Sequence, residues 1–181
     1  MKRAVFLDRD GTINEDVGDL YSEDKLIFIP GAIKALKILQ RSFSLFIVTN
    51  QSGIGSNIFS EADFSSFSEC FNMLLKREGI IISHTYYCPH KKEDNCICRK
   101  PSPYFLKEAQ RQYQVDLEGS FVIGDHPHDI EMAHKVEAKS IYLLTGHGEK
   151  HREELLANPN FIANNLYEAA RYIESYHQRV R

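Results

Sequence analysis

The stretch Val5-Phe6-Leu7-Asp8-Arg9-Asp10-Gly11-Thr12 runs apolar and then places two carboxylates two positions apart, just before a glycine. An apolar run that stops at acid and glycine reads as a buried strand delivering charge to its carboxyl end, where open α/β sheets bind ligands. Side chains at i and i+2 of an extended chain share a face, so Asp8 and Asp10 are expected to point together and Arg9 to point away. Two like charges so close repel, and a cation or a shared proton has to make the pair tolerable.

Outward from this stretch the chain alternates strand and helix patterns. Ile33, Leu36 and Leu39 fall at helical spacing up to Arg41, and Leu45-Phe46-Ile47-Val48 reads as a second buried strand ending at Thr49-Asn50-Gln51-Ser52-Gly53. Ser60 and Asp63 form a capping box for a helix whose apolar stripe is Phe64, Phe67, Phe71 and Leu74. Beyond it come a strand at Thr85-Tyr86-Tyr87, a helix from Pro103 to Tyr113 and a strand at Phe121-Val122-Ile123. A helix from Asp129 to Val136, a strand at Ile141–Leu144 and a last helix from Leu166 to Tyr176 complete the pattern. The alternation predicts one domain over residues 1–181, an α/β fold with a doubly wound parallel sheet.

Length and charge agree with that reading. The chain has 181 residues, 43% of them hydrophobic, and a formal net charge of −3, so it carries no overall positive field to hold a nucleic acid backbone. No apolar run approaches the ~20 residues of a membrane span. The expectation is a cytoplasmic, monomeric protein without nucleic acid or membrane partners.

Three strand ends carry polar clusters: Asp8 with Asp10, Thr49 with Asn50, and Gly124-Asp125 with Asp129. In a parallel sheet these ends share one edge and can converge on one site. Asp8, Asp10 and Asp125 together suit a hard divalent cation, with magnesium the best match, because magnesium takes one or two carboxylates, waters and a substrate phosphate. A calcium loop does not fit, since the later ligands and the terminal Glu are missing.

Taken in order, VFLDRDGT, IVTNQSG, Arg99-Lys100-Pro101 and VIGDHPHD resemble the four motifs of the haloacid dehalogenase superfamily of phosphotransferases. The resemblance implies a Rossmann-like core and a magnesium-dependent phosphatase. Asp8 would be the nucleophile, forming an aspartyl phosphate. Asp10 would protonate the leaving group and then activate water. Thr49 and Lys100 would stabilise the transferring phosphoryl oxygens. Asp125, one oxygen of Asp8 and the main-chain carbonyl of Asp10 would hold Mg2+, with Asp129 supporting from behind. Residues 11–30 and 53–60 leave no room for a large cap domain, so the site is expected to be open. Selectivity would then come from short loops, with Asn14 to Tyr21, Asn50, Gln51, Ser52 and Arg99 among the substrate-binding candidates.

Three of the four cysteines, with one histidine, form C-x-H-x5-C-x-C: Cys88, His90, Cys96 and Cys98. Three thiolates and an imidazole make a closed tetrahedral Zn2+ site of the structural kind, expected to fix Arg99 and Lys100 at the edge of the active site. Cys70 reads as a small buried side chain. His84, His128, His134, His147 and His151 read as solvated or packing residues.

Within the superfamily this element resembles two families, the D,D-heptose 1,7-bisphosphate phosphatases and the histidinol phosphatases. The TNQSGI segment and the C-terminal third favour the first, with a bisphosphorylated sugar as substrate and Arg99 gripping its second phosphate. The compact zinc loop suits the second. A catalytically inactive, zinc-stabilised binding module is the third reading, disfavoured by the intact acidic pair. His126 stands where the heptose enzymes often carry lysine, and would add positive charge for the second phosphate only toward mildly acidic pH.

Overall fold

The computed structural model describes residues 1–179. Six strands form one sheet in the order β3-β2-β1-β4-β5-β6, and every neighbouring pair is parallel. They are β1 (Lys2–Leu7), β2 (Ser44–Asn50), β3 (Ile82–Cys88), β4 (Val115–Gly124), β5 (Lys139–Leu143) and β6 (Phe161–Ala163). The helices are α1 (Ala32–Leu39), α2 (Ser52–Gly55), α3 (Glu61–Arg77), α4 (Tyr104–Tyr113), α5 (Pro127–His134), α6 (Gly148–His151) and α7 (Leu166–Arg179).

The period of two along each strand builds two cores, one on each sheet face. Val5 and Leu7 of β1 join Leu45, Ile47, Phe121 and Ile123 in a core closed by α1, α3 and α7. Ala4 and Phe6 join Phe46, Val48 and Val122 on the opposite face under α4 and α5. Strands buried on both faces therefore read as continuous apolar runs, which is why VFL and LFIV stood out in the sequence.

The Ser60 cap forms as expected. Its hydroxyl accepts the Asp63 amide at 3.1 Å and the Asp63 carboxylate accepts the Ser60 amide at 2.8 Å. The buried stripe of α3 is Phe64, Phe67, Phe71 and Leu75; the expected Leu74 is replaced by its neighbour because the stripe drifts around a 3.6-residue helix. β4 starts six residues earlier than Phe121 and α5 starts at Pro127 rather than Asp129, with Asp129 in its first turn. β6, only three residues long, and the single turn α2 lie below what a periodicity reading resolves. Among the described residues no helix is long and apolar enough to cross a membrane.

Candidate active site

The carboxyl ends of β1, β2 and β4 open into a cleft of ≈ 380 Å³ lined by Asp8, Asp10, Thr49, Asn50, Gln51, Ser52, Arg99, Lys100, Asp125 and His126, with Asp16, Gly18, Asp19, His128 and His147 also on its walls. The convergence expected from parallel-strand geometry is thus present. Both oxygens of Asp8 are held: Oδ1 accepts the Arg9 amide at 2.7 Å, and Oδ2 lies 2.7 Å from the Lys100 ammonium. Lys100 is almost completely buried and donates also to Asp129 Oδ1 at 2.8 Å. Burial alone would lower its pKa, but the carboxylates of Asp129 and Asp8 outweigh that and hold it well above the usual lysine range. Asn50 positions the lysine by accepting the Lys100 amide on its Oδ1 at 3.1 Å.

Asp10 is directed elsewhere, and here the expectation that Arg9 points away needs correction. The Arg9 guanidinium turns back onto Asp10, with Nη2 3.0 Å from Oδ2 and Nε 3.2 Å from both oxygens. Asn14 Nδ2 donates to Oδ1 at 2.9 Å, and Gln51 Nε2 donates to Oδ2 at 3.0 Å and to Thr49 Oγ1 at 2.9 Å. Gln51, proposed from sequence for substrate, is buried and ties Asp10 to Thr49.

Oxygens of Asp8, Asp125 and Asp129 all lie within 4.8 Å of one another. Burial pushes the Asp8 carboxyl up to about 7 against the pull of Lys100, and burial together with the facing Asp8 pushes Asp125 up to about 8. Three desolvated carboxylates facing one ammonium are short of positive charge, so the donor set fits a hard dication. Asp125 is further held by the His147 amide at 2.8 Å. Gly11 and Gly146 both have positive φ, and a Cβ on either would stand 2.2 Å from Asp125 Oδ2, so the carboxylate is boxed between two glycines. Thr145 closes the box by donating its hydroxyl to the Gly11 carbonyl at 2.6 Å. The segment Thr145-Gly146-His147 was missed from sequence, although it follows β5 as the other clusters follow their strands. His128 and His147, read as solvated or packing residues, face the cleft.

His126 also departs from expectation. Its ring accepts the His128 amide at 3.3 Å as the cap of α5, and burial, with the neighbouring His128, pushes its pKa down to about 4. It is therefore neutral at mildly acidic pH and adds no charge there.

β3 ends at Cys88, in register with Asn50 of β2, which places the cysteine loop beside the cleft. Cys88, Cys96 and Cys98 are free thiols whose sulfurs lie 3.3, 3.5 and 3.7 Å apart, and His90 Nδ1 stands 3.6 and 3.4 Å from the sulfurs of Cys88 and Cys98. These separations are far too long for disulfides and match the edges of a tetrahedron around a metal with bonds of about 2.3 Å to sulfur. Burial pushes the thiols of Cys88 and Cys98 up while hydrogen bonds bring Cys96 down to about 7, so the two buried thiols would need a cation at the centre of the cluster to ionise. Arg99 Nη1 donates to the His90 carbonyl at 3.0 Å, anchoring it to this loop.

Comparison with known proteins agrees with the site. Residues 97–169 match the HAD-hydrolase-like family. The D-glycero-beta-D-manno-heptose-1,7-bisphosphate 7-phosphatase of Photorhabdus laumondii is 38% identical over 181 residues, covering 94% of this chain and 95% of that protein. A probable D-glycero-D-manno-heptose-1,7-bisphosphate 7-phosphatase of Thermoplasma volcanium is 44% identical over 137 residues, 75% of this chain and 94% of the relative. The crystal structure of D,D-heptose 1,7-bisphosphate phosphatase from B. bronchiseptica, complexed with magnesium and phosphate, superposes with a TM-score of 0.89 at 28% identity, covering 96% of this chain and 99% of that one. The chain belongs to the family of the D-glycero-D-manno-heptose-1,7-bisphosphate 7-phosphatases, HAD-like hydrolases of phosphate esters.

Proposed function

We propose that this chain hydrolyses the 7-phosphate of D-glycero-D-manno-heptose 1,7-bisphosphate through an aspartyl phosphate on Asp8. The observation that carries the chemistry is the placement of Asp8 against Lys100 with Asp10 two residues on, in one open cleft. The relatives, similar over 94% and 75% of this chain, support the choice of substrate.

An Asp8 oxygen attacks phosphorus while the bond to the sugar oxygen breaks, and the departing alkoxide takes a proton from Asp10. Water then attacks the acyl phosphate, giving its proton to Asp10, and Asp8 is regenerated as inorganic phosphate leaves. Lys100 and Thr49 stabilise the phosphoryl oxygens in both half-reactions, and Asp129 keeps the buried lysine charged and aimed. Mg2+ held by Asp8, Asp125 and the Asp10 carbonyl would neutralise charge on the phosphoryl group when bound. Zn2+ on Cys88, His90, Cys96 and Cys98 would fix the loop that bears Arg99 and Lys100, leaving Arg99 to meet the second phosphate.

One observation favours the second reading, a histidinol-phosphate phosphatase: Asp16 and Asp19 line the cleft and suit a substrate ammonium. Parallel kinetics with magnesium decide between them. The expected result is a higher kcat/KM for heptose bisphosphate; a clear advantage for histidinol phosphate overturns the sugar assignment and leaves the phosphatase chemistry standing.

A further inference from the structure

The side chain least explained by the proposed chemistry is Arg9. It is 2% exposed, although it carries a full charge and follows the nucleophile directly. Its guanidinium lies 4.9 Å from the Phe67 ring centroid and 5.6 Å from that of Phe64, so two aromatic faces of α3 hold one side of it. Nε and Nη2 grip Asp10, and Nη2 also donates to the Leu20 carbonyl at 3.2 Å, at the far end of the loop that carries Asp16 and Asp19. Nη1 is buried without a hydrogen-bond partner among the described residues.

A buried ion pair contributes little net stability, because desolvating both charges offsets their attraction. What it contributes here is geometry. The fork is planar and five-donor, and backed on one side by the Phe64 and Phe67 rings it can present its edge to Asp10 in few ways. We propose that Arg9 is a positioning residue for Asp10, fixing the carboxylate that exchanges protons with the leaving group and with water, and linking its placement to α3 and to the Leu20 end of the substrate-facing loop. The proposal rests on the acid–base role of Asp10. A purely structural arginine would affect all substrates alike; an arginine acting through Asp10 would affect only those that need its proton.

Leaving-group selectivity is therefore the test. The quotient kcat/KM covers steps up to departure of the leaving group, and p-nitrophenolate leaves without a proton whereas a sugar alkoxide does not. Arg9→Met is expected to lower kcat/KM about 10–100-fold for heptose bisphosphate and less than about threefold for p-nitrophenyl phosphate. In an Asp10→Asn background it should add no further loss, since the group it positions is gone. Arg9→Lys, which keeps charge and stem but not the fork, should fall between wild type and Arg9→Met. Equal losses on the two esters, no loss on either, or a full additional loss on top of Asp10→Asn would each overturn the proposal. If Arg9→Met lacks a cooperative melt, the ratio of the two esters in Arg9→Lys decides. Asp10→Asn alone separates the two assignments. If it harms both esters equally, the acid–base role of Asp10 fails; if it is selective and Arg9→Met is not, only the role of Arg9 fails.

Discussion

Replacing Lys100 by Met tests the electrostatic core of the site, because the change keeps the apolar stem and removes only the ammonium. In the wild type Nζ stands 2.7 Å from Asp8 and 2.8 Å from Asp129, with the lysine 4% and Asp129 1% exposed. At an effective dielectric of about 20, each contact represents about 6 kcal/mol of direct attraction, most of it offset by desolvation. Removing one partner strands the other charges, and the net cost for a buried pair is about 3–5 kcal/mol. At about 2–4 °C per kcal/mol for a chain of this size, the melting temperature should fall by about 10 °C near pH 8 without added magnesium. The pH dependence has a definite sign. The Asp8 and Asp125 carboxyls are already raised to about 7 and about 8, so these two groups bind more protons in the folded chain than in the unfolded one between about pH 4 and 8, and their contribution to stability falls as pH rises through that window. Without Lys100 both rise further and the slope steepens. The variant should therefore approach the wild type near pH 5 and diverge from it near pH 8, while kcat/KM falls about 100–1000-fold. Urea unfolding followed by circular dichroism at the two pH values is the assay. A loss under about 1 kcal/mol at both, or one equal at both, would refute the charge-deficit account.

Asp8→Asn should abolish turnover while lowering stability by less than about 1–2 kcal/mol, because it removes the nucleophile and also relieves carboxylate crowding; phosphate release near the wild-type rate would remove Asp8 from the mechanism. Metal analysis of protein purified without chelator should find one zinc per chain, lost when Cys96 and Cys98 are both changed to serine; retention of zinc in that variant would sink the ligand assignment. Arg99→Ala should lower kcat/KM more for the bisphosphate than for p-nitrophenyl phosphate, since only the former offers a second phosphate to the guanidinium; equal losses would remove Arg99 from substrate recognition.

What could be read from the sequence depended on whether the signal was local. The end of β1 announces itself because burial on both faces forces the apolar run VFL, and the acids at positions 8 and 10 follow immediately where Leu7 ends the strand. The cysteine cluster is legible because its four side chains lie within eleven residues, Cys88 to Cys98. Arg9 was misjudged because alternation gives the direction of a Cβ and not the path of a long side chain; it folds back onto Asp10 only because Phe64 and Phe67, some fifty-five residues on, supply its bed. His126 was misjudged for a related reason. An imidazole's ordinary titration assumes water, and the rings of His128 and His151, 4.4 and 5.0 Å from its own, exclude that water from a place the sequence could not show.

The correction at His126 changes what the cysteine loop is for. With that imidazole neutral and Lys100 engaged by Asp8 and Asp129, Arg99 would have to supply the positive charge toward the second phosphate of the proposed substrate. Arg99 follows Cys98 directly and donates to the carbonyl of His90, so both its place in the chain and its anchor belong to the Cys/His cluster. Lys100 comes next and is held by Asn50, whose strand partner in the sheet is Cys88. The cluster thus sets two cations one residue apart: one sent inward to the nucleophile, the other left at the rim. A loop of this length without a metal would have to order both long side chains at an entropic cost of about 2 kcal/mol each, in addition to its backbone. A metal bound by these four side chains would meet much of the ordering cost before substrate arrives, and would let a site with no large cap present a fixed pair of charges.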